Sequence, residues 1–173
     1  PGIWVTDDNR YEEFFSRQLA IAGSKARTLA ELAASRRLAV DELNILHNEG
    51  PAASMAYGAE LFVLVAEGER RVRTAEIGWL RGLLGESSQR GHWAAVRGEW
   101  GRPWGFWEDI ICRAAGLLAR AQVMAPDRIW RRTIGVTEGI EGTWAAAVRE
   151  RLRDLGAPEI KNTDFAIQAR GTS

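Results

Sequence analysis

Few side chains in this sequence have the types and spacing that catalysis requires. The two histidines, His47 and His92, lie far apart, and neither belongs to a metal-binding pattern such as His-Glu-x-x-His. The sequence contains no nucleophile elbow, phosphate-binding loop or dinucleotide-binding fingerprint. Adjacent carboxylates occur where helices are predicted to begin, which the helix dipole explains: Glu12/Glu13, Asp41/Glu42 and Glu108/Asp109. We therefore expect no enzyme activity, no catalytic residues, no cofactor and no metal.

The single cysteine, Cys112, lies in an apolar helical pattern with Ile110, Ile111 and Ala114. One cysteine excludes an internal disulfide and any site built from several thiolates. The apolar neighbours predict a buried structural thiol rather than a reactive one.

Tryptophan and arginine alternate near the centre of the chain, at Arg97, Trp100, Arg102, Trp104 and Trp107. Such alternation can provide stacking surfaces for single-stranded nucleic acid or sugars. Helical patterns surround these residues, however, and large aromatic side chains in helices usually fill a core or a subunit interface. We predict the second role. The predicted protein-interface residues are Trp93, Trp100, Trp104, Trp107 and Trp130.

Length and charge limit the remaining possibilities. A chain of 173 residues can bury one core, or a small module and a helical domain. Its 23 basic and 23 acidic residues cancel, so no overall field attracts nucleic acid or an anionic membrane. No apolar run has the length of a membrane span. The first residues lack the pattern of a signal peptide, so we expect cytoplasmic synthesis or incorporation into a particle.

Residues 28–64 read as one small unit. Thr28 and Glu31 form a capping box that predicts the start of a helix. A second helix is predicted over residues 40–47, and Gly50-Pro51 ends it. Residues 60–66, rich in Leu, Phe and Val, predict a strand.

Elsewhere the patterns are helical. Apolar spacing predicts helices over residues 9–22, 74–84, 107–124 and 143–155. Residues 9–22 also allow a short strand at their end, through Leu19 and Ile21. A charged run at residues 67–73 predicts a domain boundary, with one domain at 1–66 and a Trp-rich helical domain at 67–173.

The order of elements in residues 19–66 resembles the LysM domain, a small carbohydrate-binding module with a strand–helix–helix–strand plan. The apolar positions of Thr28-Leu29, of Val40 with Leu43, and of Met55 match its pattern. The family usually has Gly-Asp before its Thr-Leu, in the loop that contacts N-acetylated sugars, and here Ala26 and Arg27 stand there.

The resemblance implies a groove between two loops, residues 24–28 and 48–57. Such a groove suits a glycan, because backbone groups can bind acetamides while an apolar surface packs against the sugar. The ligand-binding residues that it implies are Lys25, Arg27, Thr28, Asn48, Glu49, Gly50 and Tyr57.

A helix-turn-helix is a further interpretation of residues 29–46. Ala33 would then pack between the helices, and Val40 and Leu43 would form the inner face of the recognition helix. The exposed face of that helix would carry Asp41 and Glu42, which repel phosphates.

Together these patterns predict a helix-dominated α+β protein, with a LysM-like βααβ module followed by a Trp-rich helical domain. We expect a non-catalytic structural protein that uses the module as an assembly element in a larger complex, such as phage tail and baseplate or cell-envelope machinery. A peptidoglycan- or chitin-binding protein is the alternative, and a helix-turn-helix DNA-binding protein is the second. We expect a protein partner or self-association, with a glycan as the alternative ligand and no nucleic acid partner.

Overall fold

The computed structural model describes residues 11–36, 38–85, 93–101, 105–125, 127–137 and 140–156. The α-helices are α1 (Tyr11–Arg36), α2 (Val40–His47), α3 (Ala53–Ala56), α4 (Gly68–Leu84), α5 (Trp93–Trp100), α6 (Phe106–Val123), α7 (Ile129–Thr137) and α8 (Trp144–Asp154). A π-helical turn, Asn48–Ala52, joins α2 to α3, and a 3₁₀ helix, Ala59–Leu64, follows α3. None of the helices described is long and apolar enough to cross a membrane.

The predicted α+β class is wrong, because the described ranges contain helices and no strand or sheet. The strand predicted at residues 60–66 is the 3₁₀ helix, and Leu19 and Ile21 lie inside α1. An apolar run buried on both faces has no period that separates strand from helix, so tertiary packing decides its form. Here Phe62 packs edge-to-face on Phe15 of α1, with ring centroids 5.0 Å apart. The βααβ plan of a LysM module is therefore not present in the part of the chain described.

Helix α1 continues through both the stop predicted at Gly23 and the start predicted at Thr28. The Thr28 hydroxyl donates to the carbonyl of Ser24 at 3.3 Å, so it bonds within the helix instead of capping a new one. At Gly23 the indole of Trp79 in α4 lies alongside the helix, with its Nε1 at an ordinary contact distance of 3.5 Å from the position of a Cβ. The buried residues recur every three or four positions: Phe15, Gln18, Ala22, Ala26 and Leu29.

Helix α2 has the bounds that the sequence predicts, and Pro51 explains the irregular turn after it. Proline has no N–H, so it cannot make the hydrogen bond that would continue an α-helix. The chain adopts the π-helical turn instead, and the Ser54 hydroxyl donates to the Gly50 carbonyl at 3.0 Å. Gly58, with a φ of 66°, then ends α3 and turns the chain into the 3₁₀ helix.

The larger hydrophobic core lies where α1, α6 and α8 surround the 3₁₀ helix. Its members include Phe15, Phe62, Trp107, Ile111 and Val148, which come from both sides of the boundary predicted at residue 66. A second cluster joins α1, α2, α4 and α5 through Leu29, Leu43, Leu80, Leu83, Val96 and Trp100.

The helices predicted over residues 107–124 and 143–155 are confirmed as α6 and α8. The Thr143 hydroxyl caps α8 by accepting the N–H of Ala146 at 3.4 Å. The burial predicted for Cys112 is wrong, because its side chain is exposed. The buried stripe of α6 runs through Ile111, Ala114 and Leu118, and Cys112 falls outside it.

Candidate functional site

A buried ion pair ties α4 and α5 to the beginning of α6. Nη2 of Arg97 lies 2.9 Å from Oε2 of Glu76, and the side chains are only 9% and 4% exposed. The other carboxylate oxygen of Glu76 accepts the backbone N–H of Phe106 at 3.1 Å. Gly105 leaves room for the pair, since an added Cβ would lie 2.0 Å from that Arg97 nitrogen. This carboxylate thus satisfies one of the free N–H groups at the start of α6.

A second carboxylate, Glu108, completes the cap of α6. Its Oε2 accepts the N–H of Gly105 at 2.9 Å, and its Oε1 lies 2.6 Å from Nη2 of Arg73. Arg73 also donates through Nε to Glu69 at 2.9 Å. Negative charge at a helix N-terminus is favourable because the first N–H groups point toward it.

Burial and neighbouring charges shift the pKa values of Glu76, Glu108 and Arg73 in different directions. Burial raises the pKa of Glu76, although Arg97 and the Phe106 N–H both lower it. Burial also opposes ionisation of Glu108, but backbone hydrogen bonds and Arg73 together hold its pKa below the ordinary value. Desolvation lowers the pKa of Arg73, but Glu108 and Glu69 together outweigh it and raise that pKa above its ordinary value. Both carboxylates hold backbone N–H groups of α6, so the cluster positions that helix.

His47, one of the histidines considered above, lies in the core, with 1% of its surface exposed. Its ring stacks on Phe106, with centroids 5.3 Å and planes 10° apart, and meets Trp100 edge-on at 5.3 Å. This position makes His47 part of the packing around the first turn of α6.

The exposed apolar side chains concentrate around α7, in what we call the α7 surface. It consists of Val123, Met124, Ile129, Trp130, Val136 and Ile140. Ile129 and Val136 are 75% and 76% exposed, and their spacing of seven places them on one side of the helix. Ile134 is the buried residue of α7, which packs against α6. This surface can bind another apolar surface.

The predicted ligand-binding residues divide among several places. Lys25, Thr28 and Gly50 line one shallow cleft of about 280 Å³, with the apolar side chains of Leu29, Leu32, Leu46 and Pro51. Asn48 lines a different cleft, next to α6. Arg27 and Glu49 are exposed and line neither cleft, and the exposed Tyr57 ring lies 6.5 Å from that of Phe14.

The predicted interface tryptophans also divide. Trp100 and Trp107 are 2% and 1% exposed, so in this fold their side chains pack in the core and not against a partner. Trp130 is exposed on α7. Trp104 and the side chain of Trp93 lie outside the described residues.

No protein-family model, curated protein or solved structure matches this chain. The site must therefore be interpreted from its own geometry. In the described part of the chain, no group of three or more His, Cys, Asp or Glu side chains could hold a metal ion.

Sequence reasoning missed the buried charges and most of the α7 surface. A signal for Glu76 was present, because Val72, Glu76, Leu80 and Leu83 follow one another at helical spacing, so the carboxylate lies on the buried stripe. For α7 the signal was three arginines beside large apolar residues within nine positions, in residues 128–136.

Proposed function

We propose that this chain is a non-catalytic component of a larger assembly that binds a protein partner through the α7 surface. The observation that carries the proposal is the outward orientation of the largest apolar side chains of α7. Of the twelve exposed large hydrophobic side chains among the described residues, six lie between residues 123 and 140. Single exposed hydrophobics are common on soluble proteins, whereas a concentrated set marks an interaction surface.

The composition of the surface suits a protein interface. Trp130 supplies a large rigid contact area, and Trp and Arg are the residues that contribute most to such interfaces. Arg128, Arg131 and Arg132 are all exposed beside the apolar side chains. Arginines at the rim favour a partner that carries Asp or Glu around an apolar centre.

The same arginines disfavour a symmetric pairing of two copies through this surface. In a two-fold contact each patch meets its own copy, which brings like charges together. We therefore infer a partner of different sequence, with an apolar stripe flanked by acidic residues, such as an amphipathic helix.

A selection from a library of displayed peptides tests this proposal, because it does not require the partner to be identified first. The wild type is the target, and a Trp130→Ala, Val136→Asp double variant removes peptides that bind elsewhere. We expect the selected peptides to share apolar residues at a spacing of three or four, flanked by Asp or Glu. Their affinity, measured by fluorescence anisotropy, should weaken as salt is added because the charges are exposed.

Ile45→Asp is the matched control, since Ile45 is 58% exposed but lies on α2. It should leave peptide affinity unchanged. Peptides that bind the double variant as well as the wild type would refute the assignment. Light scattering that finds a dimer broken by the double variant would assign the surface to a second copy instead. Binding to phosphatidylglycerol vesicles that is lost in the variant would assign it to a membrane.

The glycan-binding and DNA-binding alternatives stay predictions. Retention on insoluble peptidoglycan or chitin that Lys25→Ala abolishes would favour the first of them. Binding to duplex DNA with a steep salt dependence would favour the second.

A further inference from the structure

A second cleft, separate from α7, lies between α3 and the first half of α6 and has a volume of about 490 Å³. Met55, Phe106 and Ile110 form the floor of the cleft and are almost fully buried, so the apolar surface that a ligand can reach belongs mainly to the opposite wall. Opposite α6 the wall consists of Ala52, Ala53 and Ala56, whose side chains are short. The volume falls within the range of small-molecule sites, and an apolar lining is typical of them.

The charged residues at the cleft lie on α6, one turn apart. Asp109 and Arg113 both line the cleft, and both side chains are exposed. Neither forms an ion pair with the other or with another residue in the described ranges, although a spacing of four allows it. The spacing of four on a helix places their Cβ atoms about 5–6 Å apart. Both charges are available to a ligand.

We propose that this cleft binds a small zwitterionic molecule of about the size of a dipeptide, with an apolar side chain. The ammonium group of the ligand lies at Asp109 and its carboxylate at Arg113. An extended dipeptide spans at most about 7 Å, which is comparable with the Cβ separation of the two residues that carry the charges. Its side chain lies against the short side chains of Ala52, Ala53 and Ala56.

The π-helical turn helps to form this space. Its residue Ala52 and the following α3 supply the wall that faces α6. Asn48, at the start of that turn, also lines the cleft, and its amide donates to the side-chain oxygen of Asn44 at 3.3 Å. π-Helical segments occur often at functional sites because they displace the backbone locally.

Isothermal titration calorimetry with L-phenylalanyl-L-leucine tests the proposal. The comparison uses its N-acetylated form, which lacks the ammonium group, and its C-terminal amide, which lacks the carboxylate. We expect the free dipeptide to bind with a Kd of about 1 mM or tighter. Removing either charge should weaken binding about fivefold, as expected for an exposed ion pair.

Variants assign each charge to its residue. Asp109→Asn should weaken binding of the free dipeptide about fivefold but hardly change binding of the acetylated one, since the same ion pair is already lost. Arg113→Gln should show the same pattern with the amidated form. Ala53→Trp fills the cleft from an exposed position and should abolish binding. Arg120→Gln, an exposed change further along α6, is the matched control and should have no effect.

Three results would overturn the proposal. The first is no heat of binding from the wild type, with circular dichroism showing that it is folded. The second is equal affinity for the free and blocked dipeptides, which would show an apolar pocket without charge recognition. The third is binding that survives Ala53→Trp, which would place the ligand elsewhere.

Discussion

The backbone N–H of Phe106 donates to the carboxylate of Glu76 at 3.1 Å, which ties the first turn of α6 to the middle of α4. Arg97 holds the same carboxylate from α5, at 2.9 Å. One buried side chain thereby connects three helices. The stability of this junction is the most direct test of the fold.

Gly105→Ala should destabilise the protein by about 2–4 kcal/mol, because the added Cβ meets the buried Arg97 guanidinium and displaces it from Glu76. Urea unfolding followed by circular dichroism measures the change. Gly98→Ala is the control, since no atom lies within 4 Å of its added Cβ and it is exposed in α5. This control should gain about 0.5–1 kcal/mol from helix propensity. Similar stabilities for the two variants would show that the Gly105 contact is absent.

Glu76→Gln should lower the free energy of unfolding by about 1–3 kcal/mol, because Arg97 and the Phe106 N–H lose a charged acceptor, while the burial that raises the pKa of Glu76 offsets part of the loss. Replacing both Glu76 and Arg97 by Met should recover much of that loss, since an apolar pair needs no compensation. Glu67→Gln removes an exposed partner of Arg70 and should cost less than about 1 kcal/mol. A cost for Glu76→Gln as small as that of the surface variant would contradict the buried pair.

The pKa of Glu108 is held below its ordinary value of 4.5, so its stabilising contribution is present above that pH and is lost as the pH falls. Glu108→Gln should therefore be clearly less stable than the wild type at pH 7. The difference should shrink as the pH falls below about 4.5. Urea unfolding across this range measures it, with Glu150→Gln, an exposed change on α8, as the control.

The pKa of Glu76 is raised, so its effect on the free energy of unfolding has the opposite dependence on pH. The stability that this shift contributes is fully present below the unfolded pKa of Glu76 and decreases as the pH rises through the folded pKa. A Glu108→Gln difference that does not change with pH would contradict the proposed origin of the Glu108 shift.

Ile134→Ala should loosen α7 without unfolding the protein, because Ile134 is the buried residue through which α7 packs on α6. Hydrogen exchange should become faster in residues 129–137 and stay slow in α6. Val136→Ala, at a site that is 76% exposed, should change neither region. If Ile134→Ala accelerates exchange in both helices equally, α7 unfolds with the core and not separately.

Gly23→Ala should stabilise the protein by about 0.5–1 kcal/mol, because its Cβ fits at an ordinary 3.5 Å from Trp79 within a continuous helix. A thermal melt measures the gain. Gly85→Ala provides the contrast, since its φ of 89° strains any other residue, and it should lose about 1 kcal/mol or more. A loss for Gly23→Ala would indicate that the helix does not run through this position.

The sequence predicts correctly those helices whose ends are set by residues close by in the chain, such as α2. Helix α2 keeps its expected bounds because a helix-favouring first turn and Pro51 both lie in the sequence itself. The 3₁₀ helix at residues 59–64 was predicted as a strand because its form depends on Phe15, more than forty positions away. Helix α1 likewise continues past Gly23 and Thr28 while its buried stripe packs on α4, a distant element that local capping signals do not show.

The candidate sites were predicted only in part, for a similar reason. Trp130 was expected at an interface and is exposed, but which other tryptophans face the core depends on the packing of α5 and α6. Glu76 and Arg97 lie on different helices, 21 positions apart, so their pairing depends on how α4 packs against α5. Sequence spacing alone shows a carboxylate on a buried stripe without identifying its partner.

The covering of the 3₁₀ helix by α6 and α8 has a consequence for synthesis on the ribosome. Phe62 and Val63 leave the exit tunnel well before the helices that bury them, the last of which ends at Asp154. At about 5–20 residues per second, the interval is about 5–20 seconds. During that time α1 can already pack on Phe62, but the side of the segment that α6 and α8 bury stays exposed on the nascent chain, and exposed apolar segments are what chaperones bind.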